Sequence, residues 1–260
     1  MPGAPLTESD AYRTPTGRGG PIARRFPTVC FYLRVIEIVR RASARARRGL
    51  YDDACWVESS RATVAALEAV GGRFAIEGLE HVRRLSSAAV FIANHMSILE
   101  TFVLPCLIVP YRPLTFVIKE SLVTYPWFGH VMRSRDPIVV GREKARDDLR
   151  VVLEEGRRRL AAGVSVVIFP QTTRALDFDP RQFNTLGVKL AARCGVPALP
   201  VALKTDAWGL GKRVKDFGPI APEKTVHIRF GEPLWVCGAG KKEHAGIVSF
   251  IGREIEGWKR

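Results

Sequence analysis

After residue 73 the sequence alternates short apolar runs with helix-like segments. The apolar runs have the length of buried strands and lie near residues 88–93, 114–118, 136–140, 164–169, 198–203 and 225–230. Amphipathic periodicity predicts helices between or after them, near residues 98–108, 143–161, 185–194 and 243–257. Strands that alternate with helices build α/β domains. We therefore predict an α/β fold for residues 73–260, with a mixed central sheet of about six strands flanked by helices.

A two-helix amphipathic extension is predicted ahead of this domain, within residues 26–72. Apolar residues dominate the stretch from Pro27 to Arg40, and arginines follow one helical side of it. A second helix is expected from about Asp53 to Val70, where Gly71-Gly72 supply a stop. Residues 1–25 are rich in Pro, Gly and Arg, which is typical of a disordered basic tail.

Positive charge is concentrated at the beginning of the chain. The formal net charge is +14, and residues 1–50 contribute half of it through ten Arg against Glu8, Asp10 and Glu37. A basic helix with an apolar side suits the headgroup region of an anionic membrane, whereas a bilayer span needs about 20 uninterrupted apolar residues. The alternative is a helix packed on the domain with a solvated basic face. We expect peripheral or monotopic association with the cytoplasmic face of a membrane, with membrane lipids as partners.

Other partners are not supported by the sequence. The basic arm contains no recognised nucleic-acid-binding motif, so no nucleic acid partner is predicted. No succession of charged, apolar and cleavage-site regions indicates a signal peptide. The five cysteines are widely spaced and form no Cys-x-x-Cys pair, which favours reduced thiols over a zinc site or a disulfide framework. We predict no metal and no cofactor.

The strongest chemical signal is His95 followed five positions later by Glu100. His95 comes directly after the apolar run 88–93, so its side chain can face a cleft at the end of a strand. A carboxylate in the first turn of the next helix can hold one ring nitrogen and leave the other free to take a proton from a hydroxyl. The spacing alone is weak evidence, because a single histidine is more often a structural residue.

Further blocks follow this pair in a recognisable order. They are Asn94–Glu100, Lys119–Leu122, Gly129 with Ile138–Arg142, Phe169–Arg174 and Val196–Val201. In that order the blocks resemble the glycerolipid acyltransferase family typified by 1-acylglycerol-3-phosphate acyltransferases, over roughly Gly78 to Val201. The resemblance implies that a fatty acyl group is transferred from acyl-CoA or acyl-carrier protein to a lysophosphatidate-like acceptor. It also implies that His95 is the general base and that Glu100 orients it.

Three departures from the family pattern mark this chain as a divergent branch. Glu100 stands where the family has Asp, which retains the charge on a longer side chain. Gln171-Thr172 replaces the family's Glu-Gly pair, which removes a carboxylate. In the later Phe-Lys-x-Gly block, Asn184 replaces the lysine and Leu186 replaces the glycine.

The same resemblance points to residues that bind the acceptor. They are Arg142, Thr173, Arg174, Lys119 and Gln171. A planar guanidinium can hold two phosphate oxygens at once, and strand ends that open on one cleft are where such sheets bind ligands. The alternative for the arginines is a surface salt bridge with Glu143 or Asp177. The function of Lys119 is left open between these possibilities.

Two functions are consistent with the sequence. One is a membrane-associated lysophospholipid acyltransferase, and the other is a catalytically inactive lipid-binding or regulatory protein on the same fold. The intact pair of His95 and Glu100 favours the enzyme. The loop 204–212, with its Gly and Trp residues, is either a lid over the acceptor or a packed turn.

Overall fold

A computed structural model describes residues 3–17, 19–141, 145–171, 173–211 and 215–259. Its strands are β1 (Tyr12–Arg13), β2 (Arg73–Glu77), β3 (Val90–Ala93), β4 (Leu114–Lys119), β5 (Ile138–Val140), β6 (Ser165–Ile168), β7 (Ala198–Lys204) and β8 (Thr225–Phe230). Its helices are α1 (Pro21–Arg25), α2 (Pro27–Arg47), α3 (Asp53–Ala69), α4 (Leu79–Arg83), α5 (Leu99–Ile108), α6 (Phe128–Ser134), α7 (Ala145–Ala161), α8 (Leu186–Cys194) and α9 (Lys241–Gly257). The predicted α/β class is confirmed.

The strands of the described residues form one mixed sheet in the order β1-β2-β8-β7-β3-β6-β4-β5. Strands β7, β3, β6, β4 and β5 are parallel, whereas β8 is antiparallel to β7. The sheet has two strands more than predicted, β1 and β2. Strand β1 has only two residues, and β2 alternates buried with less buried positions instead of forming an apolar run.

The apolar core is divided between the two faces of the sheet, and β3 contributes to both. Phe91 and Ala93 belong to the core beneath α2, α3, α5 and α6, whereas Val90 and Ile92 belong to the core beneath α7, α8 and α9. All four side chains are almost fully buried because β3 lies between two parallel neighbours and is covered on both faces. This burial explains why the run before His95 is continuously apolar.

The five parallel strands end at the same edge of the sheet. The segments that follow β3, β4, β5, β6 and β7 therefore meet there, which is where ligands bind in open sheets of this type. The segment after β3 contains His95, and the segment after β6 contains Gln171 and Arg174. The topology brings together motifs that are far apart in the sequence.

Helix α2 does not present the apolar face that the sequence suggested. Phe31 and Val35 are buried in the core, whereas Leu33 and Ile36 are exposed. Five exposed apolar side chains follow one another at three- and four-residue spacing from α1, through the residue between the helices, into α2. We call them the exposed stripe: Ile22, Phe26, Val29, Leu33 and Ile36. Within the described ranges, no helix is long and apolar enough to cross a membrane.

The first residues of the chain differ from the predicted disordered tail. In the described part, β1 pairs with β2 in antiparallel register. The hydroxyl groups of Tyr12 and Thr14 both donate to Glu68 on α3, at 2.7 and 2.8 Å. Glu68 is fully buried, so these hydrogen bonds satisfy a carboxylate that would otherwise be costly inside the protein. Long-range contacts of this kind leave no signal in local composition.

Candidate active site

His95 lies on a short loop that connects β3 to α5 at the ligand-binding edge of the sheet. The preceding Asn94 anchors this loop, because its side chain both donates to and accepts from the backbone of Leu203 on β7, at 2.8 Å each. The imidazole stacks on the ring of Phe169 with centroids 4.3 Å apart, and it remains 15% exposed. The loop therefore holds the imidazole at the boundary between the core and the cleft.

Glu100 is fully buried at the beginning of α5 and binds the backbone of the loop that carries His95. Its Oε1 accepts hydrogen bonds from the backbone N–H groups of Met96 and Ser97, at 2.7 and 2.9 Å. It also accepts one from the hydroxyl of Thr205, at 3.0 Å. These bonds fix the position of the carboxylate at the N-terminus of α5 and tie the loop to it.

His95 and Glu100 are neighbours but are not hydrogen bonded. The distance from His95 Nδ1 to Glu100 Oε2 is 3.6 Å, which exceeds the usual hydrogen-bond limit. Nδ1 is buried and has no hydrogen-bond partner among the described residues. The only carboxylate within ion-pair distance of this nitrogen, in the described part of the chain, is that of Glu100.

Gln171 supports the backbone of His95. Its Oε1 accepts the His95 N–H at 2.6 Å, and the His95 carbonyl accepts the N–H of Ala175 at 3.0 Å. The segment after β6 thus holds His95 at both backbone groups. Gln171 was predicted to bind the acceptor, but its oxygen is engaged by the loop, and the residue is only 4% exposed.

Arg174 and Thr173 lie at the cleft and meet the loop between β7 and β8. The guanidinium of Arg174 forms an ion pair with Asp216, and Lys215 Nζ donates to Thr173 Oγ1 at 3.3 Å. Asp177, the neighbour suggested by the sequence, is paired with Lys259 instead. Arg174 therefore does form a salt bridge, as the alternative reading of the sequence allowed, but its partner is Asp216 instead of Asp177.

Of the two other cations predicted to bind the acceptor, Lys119 is described by the structure and Arg142 is not. Lys119 ends β4, is exposed and lines the cleft. Arg142 lies outside the described residues, as does Thr172. The predicted contacts of Arg142 and Lys119 with a phosphate stay predictions.

The cleft beside His95 has a volume of about 400 Å³ and a mixed lining. Its polar lining includes His95, Lys119, Thr173, Arg174 and Asp216. Its apolar lining includes Trp56, Ile98, Phe116, Leu122, Phe128 and Met132. An amphiphilic ligand can therefore find contacts for a charged group and for a hydrocarbon chain in the same cleft.

The loop after β7 supplies two site residues that sequence reasoning missed, Thr205 and Asp216. Its first part is a packed turn, because Trp208 is buried and its Nε1 donates to the hydroxyl of Tyr32 at 2.9 Å. Burial raises the pKa of Tyr32, although the bond from Trp208 opposes that change. Thr205 directly follows the last strand of the parallel set, which was the available signal for its place at the site.

The described part of the chain contains all five cysteines and side chains of the types that bind metal ions. All five cysteines are free thiols. Burial raises the pKa of Cys106 to about 12, so that this thiol is protonated and inert at neutral pH. In the described part of the chain, no cluster of three or more His, Cys, Asp or Glu side chains could hold a metal ion.

Comparison with known proteins identifies the family. The sequence profile of the Acyltransferase family matches residues 73–204. A curated 1-acyl-sn-glycerol-3-phosphate acyltransferase of Pseudomonas aeruginosa is 32% identical over 189 residues, which cover 72% of this chain and 68% of that protein. The human 1-acyl-sn-glycerol-3-phosphate acyltransferase beta is 26% identical over 245 residues, 86% of each chain.

A solved structure supports the same assignment at the level of the fold. The crystal structure of the 1-acyl-sn-glycerophosphate acyltransferase PlsC from Thermotoga maritima superposes with a TM-score of 0.68 at 18% identity, covering 92% of this chain and 97% of that one. The region matched by the family profile includes the segments after β3 and β6, which carry His95 and Gln171. The chain therefore belongs to the acyltransferase family, as the order of its sequence motifs predicted.

Proposed function

We propose that this protein transfers a fatty acyl group from a thioester, acyl-CoA or acyl-carrier protein, to the hydroxyl of a lysophosphatidate-like acceptor. The observation that carries the proposal is the placement of His95 and Arg174 on one cleft that several apolar side chains also line. Acyl transfer to a charged lipid needs a base, a cation for the head group and space for a hydrocarbon chain. The names of the relatives agree with this acceptor class.

In the proposed reaction, His95 Nε2 takes the proton of the acceptor hydroxyl while the hydroxyl oxygen attacks the thioester carbonyl. A carbon–oxygen bond forms and the carbon–sulfur bond breaks, and the imidazolium returns its proton to the departing thiolate. Glu100, 3.6 Å from Nδ1, stabilises the imidazolium and selects the tautomer with a free Nε2. A thioester is reactive enough that no enzyme nucleophile is required.

The charged head group of the acceptor is held by the cations of the cleft. Arg174 and Lys119 line the cleft, and Arg142 is expected to join them from the segment after β5. Charge-assisted hydrogen bonds from a guanidinium to phosphate oxygens orient the acceptor as well as bind it. The hydroxyl that reacts is thereby brought toward His95.

The alternative of an inactive lipid-binding protein rests on Gln171-Thr172 in place of the family's Glu-Gly pair, of which Thr172 lies outside the described residues. In the structure, the side-chain oxygen of Gln171 accepts the His95 N–H, and an amide oxygen serves that purpose as a carboxylate would. The replacement therefore leaves the support of the histidine loop intact, which favours turnover.

Membrane association is proposed for the surface formed by α1 and α2. The exposed stripe of five apolar side chains lies on helices that also carry several arginines. Apolar side chains beside cations suit the boundary between headgroups and acyl chains of an anionic leaflet. We place this surface on the cytoplasmic leaflet of the membrane that holds the acceptor.

The test of the proposed activity uses purified full-length protein, palmitoyl-CoA and lysophosphatidate in phosphatidylglycerol vesicles. Release of CoA and formation of phosphatidate are measured together, with acyl-carrier protein as donor in a parallel arm. His95→Ala is expected to lower kcat by a factor of about 10² to 10⁴. His244→Ala is the matched control, since His244 lies on α9 beneath the opposite face of the sheet.

Two results would contradict the proposal. A folded wild-type protein that binds lysophosphatidate but turns over neither donor would favour the inactive alternative. A folded His95→Ala variant with wild-type turnover would remove the histidine from the reaction.

A further inference from the structure

The loop between β7 and β8 is fixed at its base and reaches the cleft with its far part. Near the base, Gly209 N–H donates to Pro219 O at 2.9 Å, and Ala221 N–H donates to Ala207 O at 2.8 Å. The hydroxyl of Tyr32 on α2 donates to Gly218 O at 2.8 Å. These bonds hold the two sides of the loop together and against α2.

The far part of the loop touches the segment after β6 through two consecutive residues. Asp216 forms the ion pair with Arg174, and Lys215 forms the hydrogen bond with Thr173. The Arg174 side chain is 18% exposed and that of Asp216 is 22% exposed, so the pair is partly shielded from water. Both side chains line the same cleft as His95.

The ion pair between Arg174 and Asp216 affects which acceptor head groups can bind Arg174. A guanidinium binds planar or tetrahedral anions through a fixed set of donors, and a carboxylate that already uses these donors competes with any other anion. A phosphate monoester carries a charge of about −1.5 to −2 at pH 7, more than the single charge of a carboxylate. Such a group can replace the carboxylate, whereas an uncharged head group cannot.

We infer that Asp216 is a specificity-determining residue, whose carboxylate occupies Arg174 until the phosphate of the acceptor takes its place. This inference rests on the proposed function, because it assigns the phosphate-bearing acceptor to Arg174. An acceptor with a strongly anionic head group displaces the Asp216 carboxylate and binds Arg174. A neutral acceptor leaves the ion pair in place and gains no binding from Arg174. The cost is a weaker apparent affinity for the correct acceptor, because the carboxylate must be displaced in every cycle.

The test compares Asp216→Asn with Asp216→Glu in the full-length protein. Asp216→Asn removes the competing charge, so the KM for lysophosphatidate is expected to fall by about three- to fivefold, as for a partly exposed ion pair. The KM for palmitoyl-CoA is expected to stay within twofold, and Asp216→Glu is expected to restore wild-type behaviour. A neutral head group neither displaces the carboxylate nor gains from the freed guanidinium charge, so discrimination between lysophosphatidate and its neutral monoacylglycerol counterpart is expected to widen in Asp216→Asn.

Asp177→Asn is the matched control for loss of one negative charge near the same segment. Asp177 is 88% exposed and pairs with Lys259 rather than with Arg174. Its replacement is expected to leave both KM values unchanged. Circular dichroism and urea unfolding of each variant show whether the loop substitutions alter folding.

Binding of inorganic phosphate provides a readout that does not depend on turnover. Broadening of the ³¹P resonance on addition of protein is expected to be stronger for Asp216→Asn than for wild type at the same phosphate concentration. If wild type makes no phosphatidate, the proposed function fails, but this measurement still tests the competition at Arg174. A higher KM for lysophosphatidate in a folded Asp216→Asn variant, or unchanged phosphate binding, would show that Asp216 only positions Arg174 and would overturn the inference.

Discussion

At the scale of single residues, Glu100 supports both the histidine and the loop that carries it. Its Oε1 receives two backbone N–H groups and the hydroxyl of Thr205, while its Oε2 is the atom nearer to His95 Nδ1. The related motif has an aspartate here, and in this chain the glutamate carboxylate reaches both sets of groups. The loop and the imidazole are therefore coupled through one buried anion.

This coupling predicts an effect of Thr205→Val, which keeps the shape of the side chain and removes the hydroxyl. Loss of the bond to Glu100 at 3.0 Å is expected to lower the free energy of unfolding by about 1–2 kcal/mol. We expect kcat to fall several-fold while the KM for the acyl donor stays unchanged, because the carboxylate is less firmly held behind His95. Urea unfolding and initial rates measure the two effects.

Thr124→Val is the control for Thr205→Val. Thr124 is exposed, and its hydroxyl donates to Ser121 O outside the buried network. Its replacement is expected to change neither stability nor kcat. Equal effects of the two substitutions would show that the Thr205 hydroxyl has no specific role.

The sequence could place His95 and Glu100 close together, because both follow the same strand at short distance. Thr205 is 105 positions from Glu100, and Asp216 reaches Arg174 from a different loop. Their place at the site depends on the order of β3, β6 and β7 in the sheet, which local patterns do not specify. For the same reason Gln171 could be located in sequence while its bond to the His95 backbone could not.

At the scale of elements, helix α8 lies unusually close to β3 at Gly187. A Cβ atom added at Gly187 would lie 2.7 Å from Ile92 Cδ1 and Cγ1, in the core beneath the sheet. The motif glycine that is missing at Leu186 is thus available one residue later. Helical periodicity predicted this helix near its observed bounds, but the close approach depends on packing against a distant strand.

Gly187→Ala is expected to lower the free energy of unfolding by about 1–3 kcal/mol through overpacking against Ile92. The matched control is Gly246→Ala on α9, where an added Cβ has nothing within 4 Å. That control is expected to be neutral or to stabilise by up to about 1 kcal/mol, since Ala favours helix over Gly. Urea unfolding of both variants tests the difference, and equal values would argue against the close contact.

At the scale of the whole molecule, α2 connects the surface proposed to contact the membrane with the core and with the loop that carries Asp216. Phe31 is fully buried, and Tyr32 bonds the loop that carries Asp216. Deleting residues 1–50 would therefore remove core side chains along with the exposed stripe. Any loss of membrane binding in such a truncated protein could not be separated from unfolding.

Surface substitutions provide the sharper test of membrane association. Phe26, Val29 and Leu33 of the exposed stripe are 57, 59 and 65% exposed, so their joint replacement by Ser is expected to leave unfolding by urea nearly unchanged. Each apolar side chain contributes up to about 1.5–3 kcal/mol when buried, and the triple variant is expected to bind phosphatidylglycerol vesicles at least ~10²-fold more weakly. Sedimentation with vesicles measures the partition.

Trp235→Ser is the control for the triple variant, and added salt tests the contribution of charge to vesicle binding. Trp235 is 62% exposed and follows Leu234, which pairs with Ala198 at the amino end of β7, opposite the edge that carries the site. Trp235→Ser is therefore expected to bind vesicles as wild type does. Added salt is expected to weaken wild-type binding, because each arginine near the surface contributes about 1 kcal/mol of screened attraction. Unchanged sedimentation of the folded triple variant would place the membrane contact elsewhere on the protein.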